Sequence, residues 1–354
     1  MGINKNITDT KTKLSLLGFK KTRTIPKGSI LVTCIGSTIG KMGMAVETMS
    51  SNQQINSIVI NNKNNNNFVY YAIFHSFSRY LSKVGVQAVP ILSKSNFEKL
   101  PNYTTSLEEQ NKIGYFLNLL DERIATQNKI IEDLKKLKSA IIDKSFCNPK
   151  EDSPQLRIQG FDDKWQQIRL SDMCQRINTK NTHSQCNLVL TIAAQYGLVN
   201  QESFFNKSVA SNNLENYYLI KKGDFAYNKS YSTNYPWGAV KRLELYSQGV
   251  LSPLYICFRP NTNIADSDFL THYFESNKWY KGIVNIAGEG ARNHGLLNLS
   301  VIDYFKTLHR IPSLQEQKAI AKVLNKIHSK YFIEQIILDN FKKQRQCLLS
   351  QMFI

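Results

Sequence analysis

Ser106-Leu107-Glu108-Glu109-Gln110-Asn111-Lys112-Ile113 returns 207 residues later as Ser313-Leu314-Gln315-Glu316-Gln317-Lys318-Ala319-Ile320. The correspondence runs on without a gap, Leu117 falling on Leu324, Asn118 on Asn325, Ile130 on Ile337, Lys135-Lys136 on Lys342-Lys343 and Phe146 on Phe353. A constant offset held over about forty residues marks an internal duplication. Both copies have the periodicity of a long helix. Apolar residues step by three and four through Ile113, Leu117, Leu120, Ile124, Ile131, Leu134 and Ile141, and again through Ile320, Leu324, Ile327, Tyr331, Leu338, Phe341 and Leu348. That spacing predicts a coiled-coil seam.

Each copy begins with a helix-start signal. The hydroxyl of Ser106 or Ser313 can cap free backbone N–H groups, and the acid three residues on, Glu109 or Glu316, can reciprocate. Pro101 and Pro312 stand just upstream as breakers. At ~1.5 Å rise per residue, a helix of about forty residues reaches roughly 60 Å, the length of a spacer. Polar residues interrupt the seam at matched places, Gln127 and Lys138 in the first copy, Glu334 and Arg345 in the second. Such residues either fix register and orientation or mark where the helices face solvent, and the sequence leaves both readings open.

Working outward, the segments before the helices look like two versions of one mixed domain. Ile25-Pro26-Lys27-Gly28-Ser29-Ile30-Leu31-Val32 and Ile220-Lys221-Lys222-Gly223-Asp224-Phe225-Ala226-Tyr227 both give a basic Lys-Gly turn followed by a strand pattern. A second apolar strand follows, Ile55–Ile60 or Leu254–Phe258, and then an aromatic helix, Phe68–Leu81 or Phe269–Tyr280. The Asn-rich stretch from Asn61 to Asn67 reads as the loop between strand and helix.

The 354 residues are 42% hydrophobic, enough for a buried core and about two domains. Lys and Arg number 45 against 27 Asp and Glu, a net charge of +18, which favours a polyanionic partner. Residues 1–100 hold most of the excess, with 13 basic and 3 acidic side chains. Met1 to Leu17 has no apolar run and no stretch approaches a membrane span, so a cytoplasmic location without membrane contact is expected. The six cysteines lie scattered without a C-x-x-C pair, so neither a metal site nor a disulfide framework is expected.

In its order of features the chain resembles the specificity subunit of type I restriction-modification systems. The features that match are Gly160-Phe161 followed by Trp165, Ile168, Leu170-Ser171 and Met173, then Lys222-Gly223-Asp224, the stretch Gly288-Glu289-Gly290-Ala291-Arg292-Asn293-His294-Gly295, and Ile311-Pro312-Ser313-Leu314-Gln315-Glu316-Gln317. The resemblance implies an α+β fold with two target-recognition domains, each followed by a long helix, the helices packed as an antiparallel coiled coil. On this reading residues 1–105 form the first recognition domain, 106–147 the first spacer helix, 148–312 the second domain and 313–354 the second helix. It also implies double-stranded DNA as ligand, two modification (methyltransferase) subunits docked on helices and domains, and a restriction subunit joining the complex. S-adenosylmethionine, ATP and Mg belong to those partner chains, and this chain is expected to hold no cofactor. One departure stands out. Gly223 lies 58 positions after Trp165, whereas Gly28 has only 27 residues before it and no Trp motif, so the first domain is expected to be truncated by roughly thirty residues or more.

Base reading needs donors and acceptors that reach base edges, while cations fix the phosphate backbone. In the second domain Asn228, Lys229, Ser230 and Tyr231 follow a strand, and Arg292, Asn293 and His294 form a second polar loop flanked by glycines. Lys41, Gln53 and Gln54 are the counterparts in the first domain. No catalytic or metal-binding residue is expected. The Asn234-Tyr235-Pro236-Trp237 stretch lacks the paired prolines of an amino-methyltransferase motif, Gly288-Glu289-Gly290 lacks a third glycine and distal acid, and Asp162-Asp163-Lys164 reads as a charged turn. The sequence therefore predicts a non-catalytic DNA-recognition subunit in which each domain reads half of a bipartite target and the helices set the spacing. Two alternatives stay open: a fragment of a fused restriction-modification enzyme, which catalytic motifs would reveal, and a truncated, silent gene product serving as a recombination cassette.

Overall fold

The computed structural model describes residues 5–81, 90–148, 150–193, 196–206, 213–232, 234–288 and 295–353. The chain divides into two compact units, Met1–Asp133 with Phe332–Ile354, and Leu134–Tyr331. The two long helices, Leu107–Ser145 and Leu314–Met352, are 39 residues each, and each contributes residues to both units.

Unit 1 is built on a four-stranded sheet of β1 (Asn6–Ile7), β2 (Ile30–Thr33), β3 (Met42–Ala45) and β4 (Ile55–Ile58), in the order β1-β3-β2-β4. β2 runs antiparallel to both neighbours, with Leu31 opposite Gly43 and Ile30 opposite Ile58, while β1 adds in parallel beside β3. Among the described residues β4 is paired on one side only. The Lys27-Gly28 turn puts Gly28 at φ +82°, and the Asn66 side chain donates to its carbonyl at 2.9 Å, so a Cβ there would strike that amide. The helix Asn66–Leu81 lays Tyr71, Ile73 and Phe77 over Ile30, Val32 and Met42, and Leu117 and Leu349 of the long helices close the same core.

Unit 2 repeats this plan with additions. Its strands are β5 (Gln166–Arg169), β6 (Cys174–Ile177), β7 (Leu190–Ala193), β8 (Gly197–Asn200), β9 (Tyr218–Lys221), β10 (Phe225–Asn228), β11 (Ala239–Arg242), β12 (Gln248–Leu251), β13 (Ile256–Pro260) and β14 (Leu308–Ile311). The main sheet has the order β11-β10-β13-β6, and the pairs β12-β9, β14-β5 and β7-β8 stand beside it. Thus β11-β10-β13 is the counterpart of β3-β2-β4, with β6 covering the edge that β4 leaves open. The core is aromatic: Tyr227 stacks on Tyr304 at 4.7 Å, Phe225 on Phe258 at 5.5 Å, and Trp165 meets Phe269 edge-on at 6.1 Å. The second aromatic helix is shorter than its pattern suggests. It spans Ser267–Glu275 and stops where Ser276 turns extended and its hydroxyl donates to the Tyr273 carbonyl, and a new helix starts at Tyr280.

In each unit the long helices run antiparallel, because contacts climb one helix while descending the other. In unit 1 Asp121 meets Arg345 at 2.7 Å and the Gln127 amide donates to the Glu334 carbonyl at 2.9 Å, while Leu120, Ile124, Ile131, Leu338, Phe341 and Leu348 form the apolar seam. In unit 2 Lys138 reaches His328 at 3.4 Å, and Ile320 and Leu324 join Ile142 and Phe146 in the core. Ile113 packs on the unit 1 core and Ile141 on the unit 2 core as partly buried residues. Leu134, Ile327 and Tyr331 are likewise half-buried. The buried Ile142 and Leu349 sit one residue beyond Ile141 and Leu348, so the face turned to the core is wider than a strict seam. Ser106 and Ser313 do cap, accepting from the amides of Glu109 and Glu316, but neither acid reciprocates: Glu109 bonds Thr105, and Glu316 bonds Arg157. Among the described residues no helix is long and apolar enough to cross a membrane.

Candidate nucleic-acid interface

The candidate residues cluster where the second strand of each sheet ends. In unit 1, Thr33 closes β2 and exchanges hydrogen bonds across a tight hairpin: its N–H donates to the Lys41 carbonyl at 2.9 Å, and the Gly40 N–H donates back to Thr33 at 2.9 Å. Gly40 has φ +88°, and a Cβ there would run into the Phe77 ring at 2.8 Å, so only glycine serves. The next residue, Cys34, donates its N–H to the Gln54 carbonyl at 2.8 Å. Lys41, Gln53 and Gln54 therefore stand around one strand end, with their side chains exposed. A third segment joins them, since the Leu92 N–H donates to Cys34 at 2.8 Å and the Gly36 N–H to Pro90 at 3.0 Å.

Unit 2 repeats part of this lacing with different side chains. β10 ends at Asn228, whose side-chain oxygen accepts from the Ser230 N–H at 2.9 Å and fixes the turn. The Leu297 N–H donates to Lys229 at 2.9 Å and the Tyr231 N–H to Gly295 at 2.7 Å, the counterparts of the bonds at Cys34 and Gly36. Ser230 and Tyr231 are exposed, and Asn228 and Lys229 half-exposed. Gly238, the counterpart of Gly40, has φ +80°, and a Cβ there would meet the Asn228 carbonyl at 2.2 Å. Arg292, Asn293 and His294 lie outside the described residues; Gly295, the next residue in sequence, is the one that accepts from Tyr231.

What this arrangement offers is a rim of hydroxyls, amides and cations on backbone held rigidly from beneath. It is suited to contacting a polar surface. Among the described residues no group of three or more His, Cys, Asp or Glu side chains converges to hold a metal ion. Five of the six cysteines are buried, and burial pushes the Cys147 and Cys257 thiols up to about 12, so both are inert packing groups.

The support beneath the rim includes residues that sequence reading passed over. Asp224 is buried and bonded by Arg259 through two nitrogens at 2.7 and 2.9 Å, while its carboxylate also accepts from the Lys221 N–H. This ion pair ties the Lys-Gly turn to β13. Lys138 holds Glu275 at 2.8 Å; burial works against that carboxylate, yet His272 and Lys138 outweigh it and draw its pKa down to about 2. The only sequence signal for these pairs is that an acid directly follows Gly223, or that a cation interrupts an apolar seam.

Residues 1–136 match the family described as the type I restriction modification DNA specificity domain. Over 141 residues the chain is 30% identical to the type I restriction enzyme HindI specificity subunit of Haemophilus influenzae, a match spanning 37% of this chain and 30% of that relative. The S subunit of a type I restriction-modification system from M. genitalium is similar in structure, with a TM-score of 0.60 at 18% identity over 95% of this chain and 85% of that one. A chain from a structure of type I restriction-modification complex assembly and conformational transition gives 0.52 at 14% identity, over 94% and 83%. These two likenesses show a shared fold.

Proposed function

We propose, for a chain that belongs to the specificity-subunit family of type I restriction-modification systems, that it is the non-catalytic subunit through which such a complex recognises double-stranded DNA. Each unit reads one half of a bipartite target through the loops at the ends of β2 and β10, and the long helices hold the reading loops apart. Two modification subunits dock on the helices and domains and bring S-adenosylmethionine; a restriction subunit, where it joins, brings ATP and Mg.

The observation that carries this reading is the repeated lacing at the strand ends. Two backbone bonds recur, Leu92 to Cys34 and Gly36 to Pro90 in one unit and Leu297 to Lys229 and Tyr231 to Gly295 in the other, while the side chains around them differ: Lys41, Gln53 and Gln54 in one, Asn228, Lys229, Ser230 and Tyr231 in the other. A conserved scaffold under divergent polar side chains is what two different half-sites require. The excess of 45 Lys and Arg over 27 Asp and Glu supports a phosphate-backbone partner.

The test is to map methylated sites across the genome of cells expressing this chain as their sole specificity subunit, with modification subunits supplied. A bipartite motif is expected, and Lys229→Ala should alter the half read by unit 2 alone. Methylation without a sequence motif, or none at all, would overturn the reading.

A further inference from the structure

In the main sheet of unit 2, β6 and β10 both run antiparallel to β13, so they point the same way. Ile177 and Ala226 lie opposite the same residue, Cys257, from either side. The chain leaving β6 therefore emerges at the end of the sheet from which Asn228, Lys229, Ser230 and Tyr231 emerge. It stays anchored as it goes. The Thr179 carbonyl accepts from the Leu219 N–H at 3.0 Å, the Asn181 N–H donates to the Tyr217 carbonyl at 3.0 Å, and Lys180 donates to the Asn216 carbonyl at 2.6 Å while its ammonium lies 4.3 Å from the centre of the Tyr218 ring.

Beyond this anchor, Thr182, His183, Ser184 and Gln185 form an exposed loop closed on a buried base. The base is Asn181, whose side chain is wholly buried. Its amide donates to the Cys186 carbonyl at 2.8 Å and its side-chain oxygen accepts from the Cys186 N–H at 2.9 Å, so one side chain shuts the loop with the pair of bonds that an opposing strand residue would make. Within the loop His183 has φ +58° and Ser184 φ +51°. Among the described residues only Asn206 shares that left-handed backbone without being glycine. A side chain with a Cβ meets a steric penalty there that glycine avoids, and such outliers cluster at sites that contact ligands, where the surroundings over-determine them.

We propose, building on the DNA-recognition reading, that residues 182–185 are a second base-reading loop of unit 2, with His183 and Gln185 contacting base edges in the major groove. The loop leaves the same end of the sheet as the residues that follow β10, and its backbone is fixed from beneath before any ligand arrives. It presents hydroxyl, imidazole and amide groups and holds no Lys or Arg. Groups that both donate and accept match base edges, whereas phosphates are held mainly by cations and other donors. A glutamine amide, in particular, can bond N6 and N7 of one adenine together.

The test uses the full chain in complex with modification subunits, bound to duplexes in which the half-site of unit 2, known from methylation mapping, is changed one position at a time. Gln185→Ala removes an exposed side chain and leaves the backbone alone, while His183→Gly removes the ring and relieves a left-handed residue. Each is expected to lower discrimination roughly tenfold at one or two positions of that half. The other half and the salt dependence should stay unchanged, and the melting temperature should not fall. Weakening spread evenly over all sequences with a shallower salt slope, or full discrimination in both variants while Lys229→Ala still alters the half, overturns the role of the loop alone. A parent complex without preference in that half overturns both the loop and the reading on which it rests.

Discussion

Gln110 and Gln317 do the same work twice. Gln110 accepts from the Asn65 N–H at 3.0 Å and donates to the Thr105 carbonyl at 2.8 Å; Gln317 accepts from the Asp266 N–H at 2.8 Å and donates to the Pro312 carbonyl at 2.9 Å. Each glutamine thus fastens the start of a long helix to the start of an aromatic one, satisfying backbone groups that helix ends leave unpaired. Replacing Gln317 with Ala strands a donor and an acceptor in the interior, and the expected cost is about 1–3 kcal/mol, read as a lower denaturant midpoint at unchanged slope. His309 carries a pH dependence. Burial pushes its imidazole down to about 4. Thr307 gives its one hydroxyl proton to the Tyr304 carbonyl, so it must accept from His309 Nε2–H, which leaves Nδ1 to accept from the Tyr273 hydroxyl. The neutral ring is fully bonded, and a proton on Nδ1 would displace the one the Tyr273 hydroxyl donates there. In the unfolded chain this histidine binds a proton near pH 6.5, in the folded chain only near 4, so stability is complete above 6.5 and falls as pH drops from 6.5 towards 4. The loss at the bottom of that window should be about 3 kcal/mol. Chemical denaturation at pH 7.5 and 5 measures it, and His309→Gln should flatten the dependence.

At the scale of elements, the helices were legible because local pattern and tertiary role agree: the same spacing that makes a residue helical also turns it inward. Leu117 and Leu324 are wholly buried, and Leu120 nearly so. Leu120→Asp and Leu324→Asp should each cost several kcal/mol, because each buries a charge without a partner, and loss of helical circular dichroism at a lower temperature is the expected sign. The polar interruptions proved to be bonded positions. Gln127 meets Glu334, Arg345 meets Asp121, and Lys138 meets Glu275 and His328, which favours the register-fixing role over solvent exposure. What the sequence could not supply was partners far along the chain. Glu316 reads locally as half of a capping box, yet Arg157 and Trp165, more than 150 residues away, claim its carboxylate. The break at Ser276 was hidden for another reason, since aromatic residues resume at Trp279 and Tyr280 while the helix ends where the Ser276 N–H and hydroxyl both turn back to the Tyr273 carbonyl.

For the whole molecule, the charge of +18 predicts duplex binding that weakens steeply with salt. Lys229→Ala should reduce the slope of log affinity against log salt by about one if this lysine meets a phosphate, and relax one base position at an unchanged slope if it meets a base edge. Filter binding or anisotropy over a salt series distinguishes the two. The candidate loops were legible as polar stretches after strand patterns, but their grouping was not, because the bonds from Leu92 to Cys34 and from Leu297 to Lys229 link residues with no local pattern in common. The contact between Gln127 and Glu334 has a consequence for ancestry. These two positions coincide under the 207-residue repeat, so the contact joins a site to its own duplicate, as at the dyad of an isologous homodimer. Two ancestral half-length chains would have met there with identical side chains. With the residues now present, two copies of the second half would bring glutamate against glutamate in a buried setting, while one copy of each half brings an amide against a carboxylate. Divergence at this one position therefore disfavours pairing of the second half with itself. Separately expressed segments 1–147 and 148–354 should form mixed pairs in size-exclusion chromatography, and Glu334→Gln should let the second segment pair with itself.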